Sequence, residues 1–72
     1  MKTLAHETPD SSALRRVEWR EQDNSLVVHF RRSASTSVYR DVPREVFEDL
    51  KRARSVGEFL NKTVKPNYRQ AL

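Results

Sequence analysis

Two stretches of the chain alternate apolar and polar residues with a period of two. In ALRRVEWRE, Val17 and Trp19 alternate with Arg16, Glu18 and Arg20; in SLVVHFRR, Leu26, Val28 and Phe30 fall on one face and Val27, His29 and Arg31 on the other. That period is the mark of strands with one dry and one wet side. Leu14 falls out of the register of the first run and marks a bulge or the strand's entry. Between the runs, Asp23 and Asn24 supply residues that bond their own backbone and tolerate turn geometry, a hairpin signal. The polar run SASTS at 33–37 makes a second turn, and SVYR a short third strand. Short loops between consecutive strands imply an antiparallel meander.

At Pro43 the period changes to that of a helix. Proline suits a first helical turn because its missing N–H is no loss there, and Glu45 adds negative charge where the helix dipole is positive. Val46, Phe47, Leu50 and Ala53 then form an apolar stripe, while Glu48, Asp49, Lys51 and Arg52 are left to water. Ser55 and Glu58 have the spacing of a capping box and start a second helix with Val56, Phe59, Leu60 and Val64 on its dry side. Pro66 is expected to stop it near Lys65. Residues 1–12 show neither period and are expected to be a disordered tail. The expected architecture is α+β: a three-stranded antiparallel meander followed by two short helices packed on one face. Residues 13–69 form a single domain and 70–72 a tail.

Composition narrows the chemistry. The 72 residues hold no cysteine, which removes disulfides, thiolate zinc sites and cysteine nucleophiles. His6 and His29, the only imidazoles, have no neighbouring acid or histidine at ligand spacing, so no metal site is expected. The serines and threonines at 33–37 are turn residues by composition, and His29 has no evident orienting partner, so neither a catalytic residue nor a cofactor is expected. The single glycine, Gly57, cannot form a phosphate loop; its role is close backbone packing. No apolar run approaches membrane-spanning length, and the chain is placed in the cytoplasm as a monomer.

A net charge of +4, from 14 basic and 10 acidic residues, suits a polyanionic partner. Arg16 and Arg20 share a strand face that Arg31 is expected to join, with Arg32 at its end. A second group lies toward the carboxyl terminus at Lys62, Lys65 and Arg69. Trp19, Phe30, Phe47 and Phe59 fall on dry faces and read as core, whereas Tyr39 beside Arg40, and Tyr68 between Lys65 and Arg69, combine an aromatic ring with a cation as single-stranded nucleic acid requires.

Tyr39, Val42 and Pro43, followed by the Val46, Phe47 and Leu50 helix and then SVGEFLNKTVKPNY, resemble the KTSC domain, a module that also occurs at the carboxyl terminus of some lysyl-tRNA synthetases. The resemblance covers residues 12–69. Tyr39 matches the second residue of a Tyr-x-Tyr pair, Val42 and Pro43 its Val-Pro step, and Ser55, Gly57, Phe59 and Asn61 the motif opening its last helix. Lys62, Val64 and Lys65 match the basic and aliphatic positions that follow, and Tyr68 the terminal aromatic. Ser37 stands where the family has its first tyrosine, and Leu60 where it has an aromatic, which thins any aromatic platform. The family has no established activity, and the resemblance implies only a suggestion of RNA binding.

Two partner classes follow. The first is RNA or another nucleic acid, bound through Arg16, Arg20, Arg31, Arg32, Tyr39, Arg40, Lys62, Lys65, Tyr68 and Arg69. The second is a protein of the transcription or translation machinery, such as RNA polymerase or the ribosome, on which a small and conceivably phage-encoded regulator would dock through open sheet edges and tails that order on binding.

Overall fold

A computed structural model describes residues 2–71. The chain is α+β. Four strands, β1 (Thr3–Glu7), β2 (Leu14–Arg20), β3 (Ser25–Phe30) and β4 (Thr36–Tyr39), form an antiparallel sheet in chain order. Helix α1 spans Arg44–Arg52. Helix α2 runs over 56–67 as an α turn Val56–Phe59, a π-helical segment Leu60–Val64 and a closing α turn Lys65–Asn67.

The meander has one strand more than expected, because the amino-terminal segment expected to be disordered forms β1. Leu4 is its one strongly apolar residue, so the sequence carries almost no period-2 contrast. The strand exists because β2 offers it an edge: Leu4 pairs with Trp19 and His6 with Val17. At the opposite edge, residues expected to be a tail also pair. Gln70 bridges Tyr39, the Arg40 N–H donates to the Arg69 carbonyl at 3.0 Å, and the Ala71 N–H donates to the Val38 carbonyl at 2.7 Å. Met1 and Leu72, assigned to the two tails, lie outside the described residues. Among the described residues the β4 edge is thus covered at Val38, Tyr39 and Arg40, whereas that of β1 is uncovered along its length.

The core lies between one sheet face and the helices. Leu14, Val17, Trp19, Leu26, Val28 and Tyr39 meet Val42, Phe47, Leu50, Leu60 and Val64. Leu14 does mark a bulge: the β2–β3 register slips between Leu14 and Arg16, leaving Arg15 unpaired. Asn24 takes the hairpin's left-handed position at φ 54°, and Asp41 another at φ 56° just before the helices. From there Val42 is held on every side. Its N–H donates to the Asn24 carbonyl at 2.8 Å, its carbonyl accepts the Trp19 indole N–H at 2.8 Å, and its side chain is buried.

Pro43 sits just ahead of α1 as its extended N-cap rather than inside the first turn. The Ser55 hydroxyl caps α2 by accepting the Glu58 N–H at 3.3 Å, but the Glu58 carboxylate turns to Lys62 instead of closing the box. Helix α2 also passes through Pro66, where a stop was expected. The π segment widens the preceding turn, with the Lys65 N–H reaching back to the Leu60 carbonyl, and this relieves the clash a proline imposes on a regular helix. Gly57 does provide a close approach, since a Cβ there would lie 3.3 Å from that of Ala13.

The other sheet face is pinned by polar pairs across the strands. Arg16 bonds Glu7 at 2.7 Å and Glu18 at 3.2 Å, while His29 Nε2 and Glu18 Oε1 lie 2.9 Å apart. Thr36 Oγ1 approaches His29 Nδ1 at 3.5 Å. The bond to His29, reinforced by Arg16, holds the Glu18 carboxyl below its ordinary value of 4.5 against the opposing effect of burial. Val27 is buried on this same face, flanked by Glu18 and Val38.

This packing sets three stability expectations. Trp19→Phe orphans the buried Val42 carbonyl and should cost about 1–3 kcal/mol by urea denaturation through that group alone. Tyr39→Phe should stay within about 1 kcal/mol of the wild type, because the buried Tyr39 hydroxyl has no hydrogen-bond partner to lose. Equal costs for the two would contradict this reading. For Glu18, a carboxyl with a lowered folded-state pKa stabilises the fold above the unfolded value, and that stabilisation is lost as pH falls through the folded value. The stability difference between wild type and Glu18→Gln should therefore be full near neutrality and shrink on acidification below 4.5. A difference independent of pH would contradict it.

Candidate nucleic-acid interface

Alternation along the strands sorts the sheet's side chains into rows. Trp19, Leu26 and Tyr39 are cross-strand neighbours aimed at the helices, as are Val17, Val28 and Ser37. The outer face carries three rows. At one end lie Glu7, Arg16, His29 and Thr36, and in the middle Ala5, Glu18, Val27 and Val38. At the other end Thr3 opposes Arg20 and Arg20 opposes Ser25. Arg40, one step beyond Tyr39, continues this row, and its backbone bond to Arg69 carries it onto the carboxyl-terminal segment.

The structure thus brings Arg20, Arg40 and Arg69 into one line across the sheet, with buried Ser25 between the first two. At the usual inter-strand spacing, Arg40 and Arg69 stand about 5 Å apart and Arg20 about 10 Å from Arg40 at the backbone. Arg40 and Arg69 are exposed and Arg20 partly so. None of the three makes an ion pair among the described residues.

The other residues singled out in the sequence are placed differently. Arg16 does share the face of Arg20, but Glu7 and Glu18 neutralise it. Arg31 does not join them. Its guanidinium donates to the carbonyls of Ser11 at 2.7 Å, Thr8 at 2.7 Å and Leu14 at 3.2 Å, clamping the β1–β2 loop; the loop's backbone carbonyls, invisible in a side-chain pattern, claim it. Arg32 is exposed in the β3–β4 turn, at the opposite end of the sheet from the arginine row.

Tyr39 is 1% exposed and cannot stack on a base. Burial raises its pKa, an effect that neighbouring Ser37 partly offsets. Ser37 itself faces the helices, within 3.4 Å of the Gln70 amide, so a tyrosine at that position would also enter the core side. Tyr68 is half-buried against the core cluster. The outer face carries no Phe, Trp or Tyr from any of the four strands, and its one ring, the His29 imidazole, is held by Glu18.

Lys62 pairs with Glu58, whereas Lys65 is exposed and makes no ion pair among the described residues. Along α1 the charges cancel locally: Glu48 binds Arg44 and Lys51, the Lys51 bond lowering its pKa, and Asp49 binds Arg52. The Glu18–His29 pair gives His29 the orienting partner that sequence reasoning did not find; the two residues are eleven apart and meet only through β-pairing. A cleft of about 400 Å³ also lies between the β1–β2 loop and the α1–α2 joint, with Asp10, Lys51 and Arg54 at its walls. Its charges are of both signs, which suits a polyanion less well than the arginine row. Among the described residues no acid, histidine or cysteine cluster could hold a metal ion, and no helix is long and apolar enough to cross a membrane.

This architecture has known relatives. A KTSC domain protein from Yersinia pestis superposes with a TM-score of 0.82 at 20% identity, covering 96% of this chain and 94% of its own. A protein of Tsukamurella paurometabola is 40% identical over 60 residues, 83% of this chain and 88% of that one. The family model of the KTSC domain matches residues 10–68. The chain belongs to the KTSC domain family.

Proposed function

We propose that the chain is a non-enzymatic binding module for nucleic acid, and that Arg20, Arg40 and Arg69 hold the phosphates of a single RNA strand laid across the outer sheet face. The observation that carries this reading is that three arginines without acidic partners among the described residues fall into one row, whereas Arg15, Arg32, Arg54 and Lys65, which also make no ion pair there, lie elsewhere. The middle row holds the small or apolar Ala5, Val27 and Val38, and its one carboxylate, Glu18, is already bonded to Arg16 and His29, which leaves room for a backbone to lie close. The one ring on that face, the His29 imidazole, lies at the end away from the arginine row and is tied to Glu18, so binding rests on charge and tolerates sequence.

Fluorescence anisotropy with a single-stranded RNA tests this. For single strands each phosphate contact adds about 0.7 to the slope of log K against log salt. Changing Arg20, Arg40 and Arg69 together to Ala should lower that slope by about 2 and weaken binding by on the order of tenfold or more at low salt. Lys62→Ala, which removes an already paired charge, should leave both nearly unchanged. A folded triple variant that binds like the wild type would refute the assignment.

A further inference from the structure

The open edge of β1 has a regularity that the proposed RNA contacts do not use. The Glu21 N–H donates to the Lys2 carbonyl at 3.0 Å and the Thr8 N–H to the Arg15 carbonyl at 3.1 Å. In an antiparallel pair the bonded positions alternate, so the even residues of β1 spend their backbone groups on β2. The odd residues Thr3, Ala5 and Glu7 aim their N–H and C=O groups away from the sheet. No backbone bond beyond the sheet's own ladder involves them among the described residues, and all three are exposed.

Edges of this kind are usually blunted by proline, lysine, a bulge or a covering segment. Here the β4 edge is covered at Val38, Tyr39 and Arg40 by residues 69–71, while the run Thr-Leu-Ala-His-Glu of β1 holds no proline, lysine or bulge, and its one carboxylate, Glu7, is turned to Arg16.

We infer that β1 is a self-association edge, on which a second copy of this chain adds its own β1 antiparallel about a two-fold axis through Ala5. Parity selects the register. The odd residues must face odd residues for their backbone groups to meet, and a centre at Ala5 pairs Thr3 with Glu7 of the second copy, Ala5 with Ala5, and Glu7 with Thr3. Each pair exchanges two hydrogen bonds, so every outward group of the strand is used.

The side chains agree with this register. The two-fold axis falls on the smallest residue of the strand, where identical side chains must meet. No like charges oppose one another, and half-buried Leu4 gains His6 of the second copy as its neighbour on the helix side. Two five-residue strands make an interface below about 1,200 Å², in the range of transient contacts, so the dimer forms only at high protein concentration. Opposed residues of an antiparallel pair share a face, so the product is one continuous eight-stranded sheet. Its outer face carries both arginine rows, displaced by four residues along the strands, about 13 Å.

The chain has no cysteine, so single-cysteine variants read the register directly. A bonded antiparallel pair places its Cα atoms about 5.5 Å apart, inside the Cα range of a disulfide, and its Cβ atoms need to close by only about 1 Å for the bond to form at this edge. Under mild oxidation Ala5→Cys should give a covalent dimer at least tenfold faster than Thr3→Cys or Glu7→Cys alone, while a mixture of Thr3→Cys and Glu7→Cys should cross-link as a pair. Cross-linking of Ala5→Cys no faster than of Thr3→Cys would overturn the proposal.

A second measurement removes dependence on oxidation. Ala5→Pro deletes an N–H that points away from β2, so the fold should survive by circular dichroism. The slower diffusion of the wild type at millimolar concentration should then revert to the monomer value. A wild type that remains monomeric there, or a proline variant that still dimerises, would also overturn it. These readouts require no RNA, so they stand or fall apart from the proposed function.

Discussion

The peptide group of Val42 is the fastening on which the molecule's layers depend. Trp19 comes from the second strand and Asn24 from the β2–β3 turn, yet both bond the same residue, one at its carbonyl and the other at its N–H. Asp41 bends the chain into this position through a left-handed conformation, and Pro43 leaves it extended. The direction in which α1 departs is therefore set by the sheet. A domain of this size buries only about 60% of the surface its unfolded chain exposes, and with no disulfide it relies on such directional bonds to choose one packing among several that would satisfy hydrophobicity alone.

That fastening commits one sheet face to the core and thereby defines the other. Trp19, Phe30 and Tyr39 all turn toward the helices. The outer face keeps Ala5, Val27 and Val38 beside the paired Glu18 at its centre, a neutralised network at one end and, among the described residues, arginines without ion pairs at the other. The net excess of +4 is modest, and every basic side chain of α1 is paired with an acid, while Arg20, Arg40 and Arg69 make no ion pair among the described residues.

Much of the fold was legible in the chain because strong local signals agreed with the global answer. The alternation of β2 and β3, the turn at Asp23 and Asn24, the misfit of Leu14 and the Ser55 cap each mean in the structure what they mean in the sequence. The misses share a physical cause, which is that the deciding partner lies far away in sequence. β1 has little amphipathic contrast and forms because β2 accepts it. Helix α2 passes Pro66 because five residues upstream adopt a wider turn. Arg31 is claimed by three carbonyls of a loop that no pattern identifies as its partner. The proposed binding face is legible only in part: Arg20, Arg40 and Arg69 each stand out in the sequence, but their alignment is a property of β-pairing and of a carboxyl-terminal segment whose pairing no local pattern announces. Tyr39 was misjudged for the converse reason, since a tyrosine beside an arginine looks the same in sequence whether its ring points out or in.

The most direct measurement is a backbone-amide NMR titration of the folded protein with single-stranded RNA, which maps the contact surface residue by residue. Amides at Arg20, Ser25, Arg40 and Arg69 are expected to shift together and saturably, with smaller effects spreading to Val27 and Val38 and little change along α1. Shifts confined to the helices, or to the cleft around Lys51 and Arg54, with the arginine row unmoved, would contradict the assignment of the outer sheet face as the binding surface.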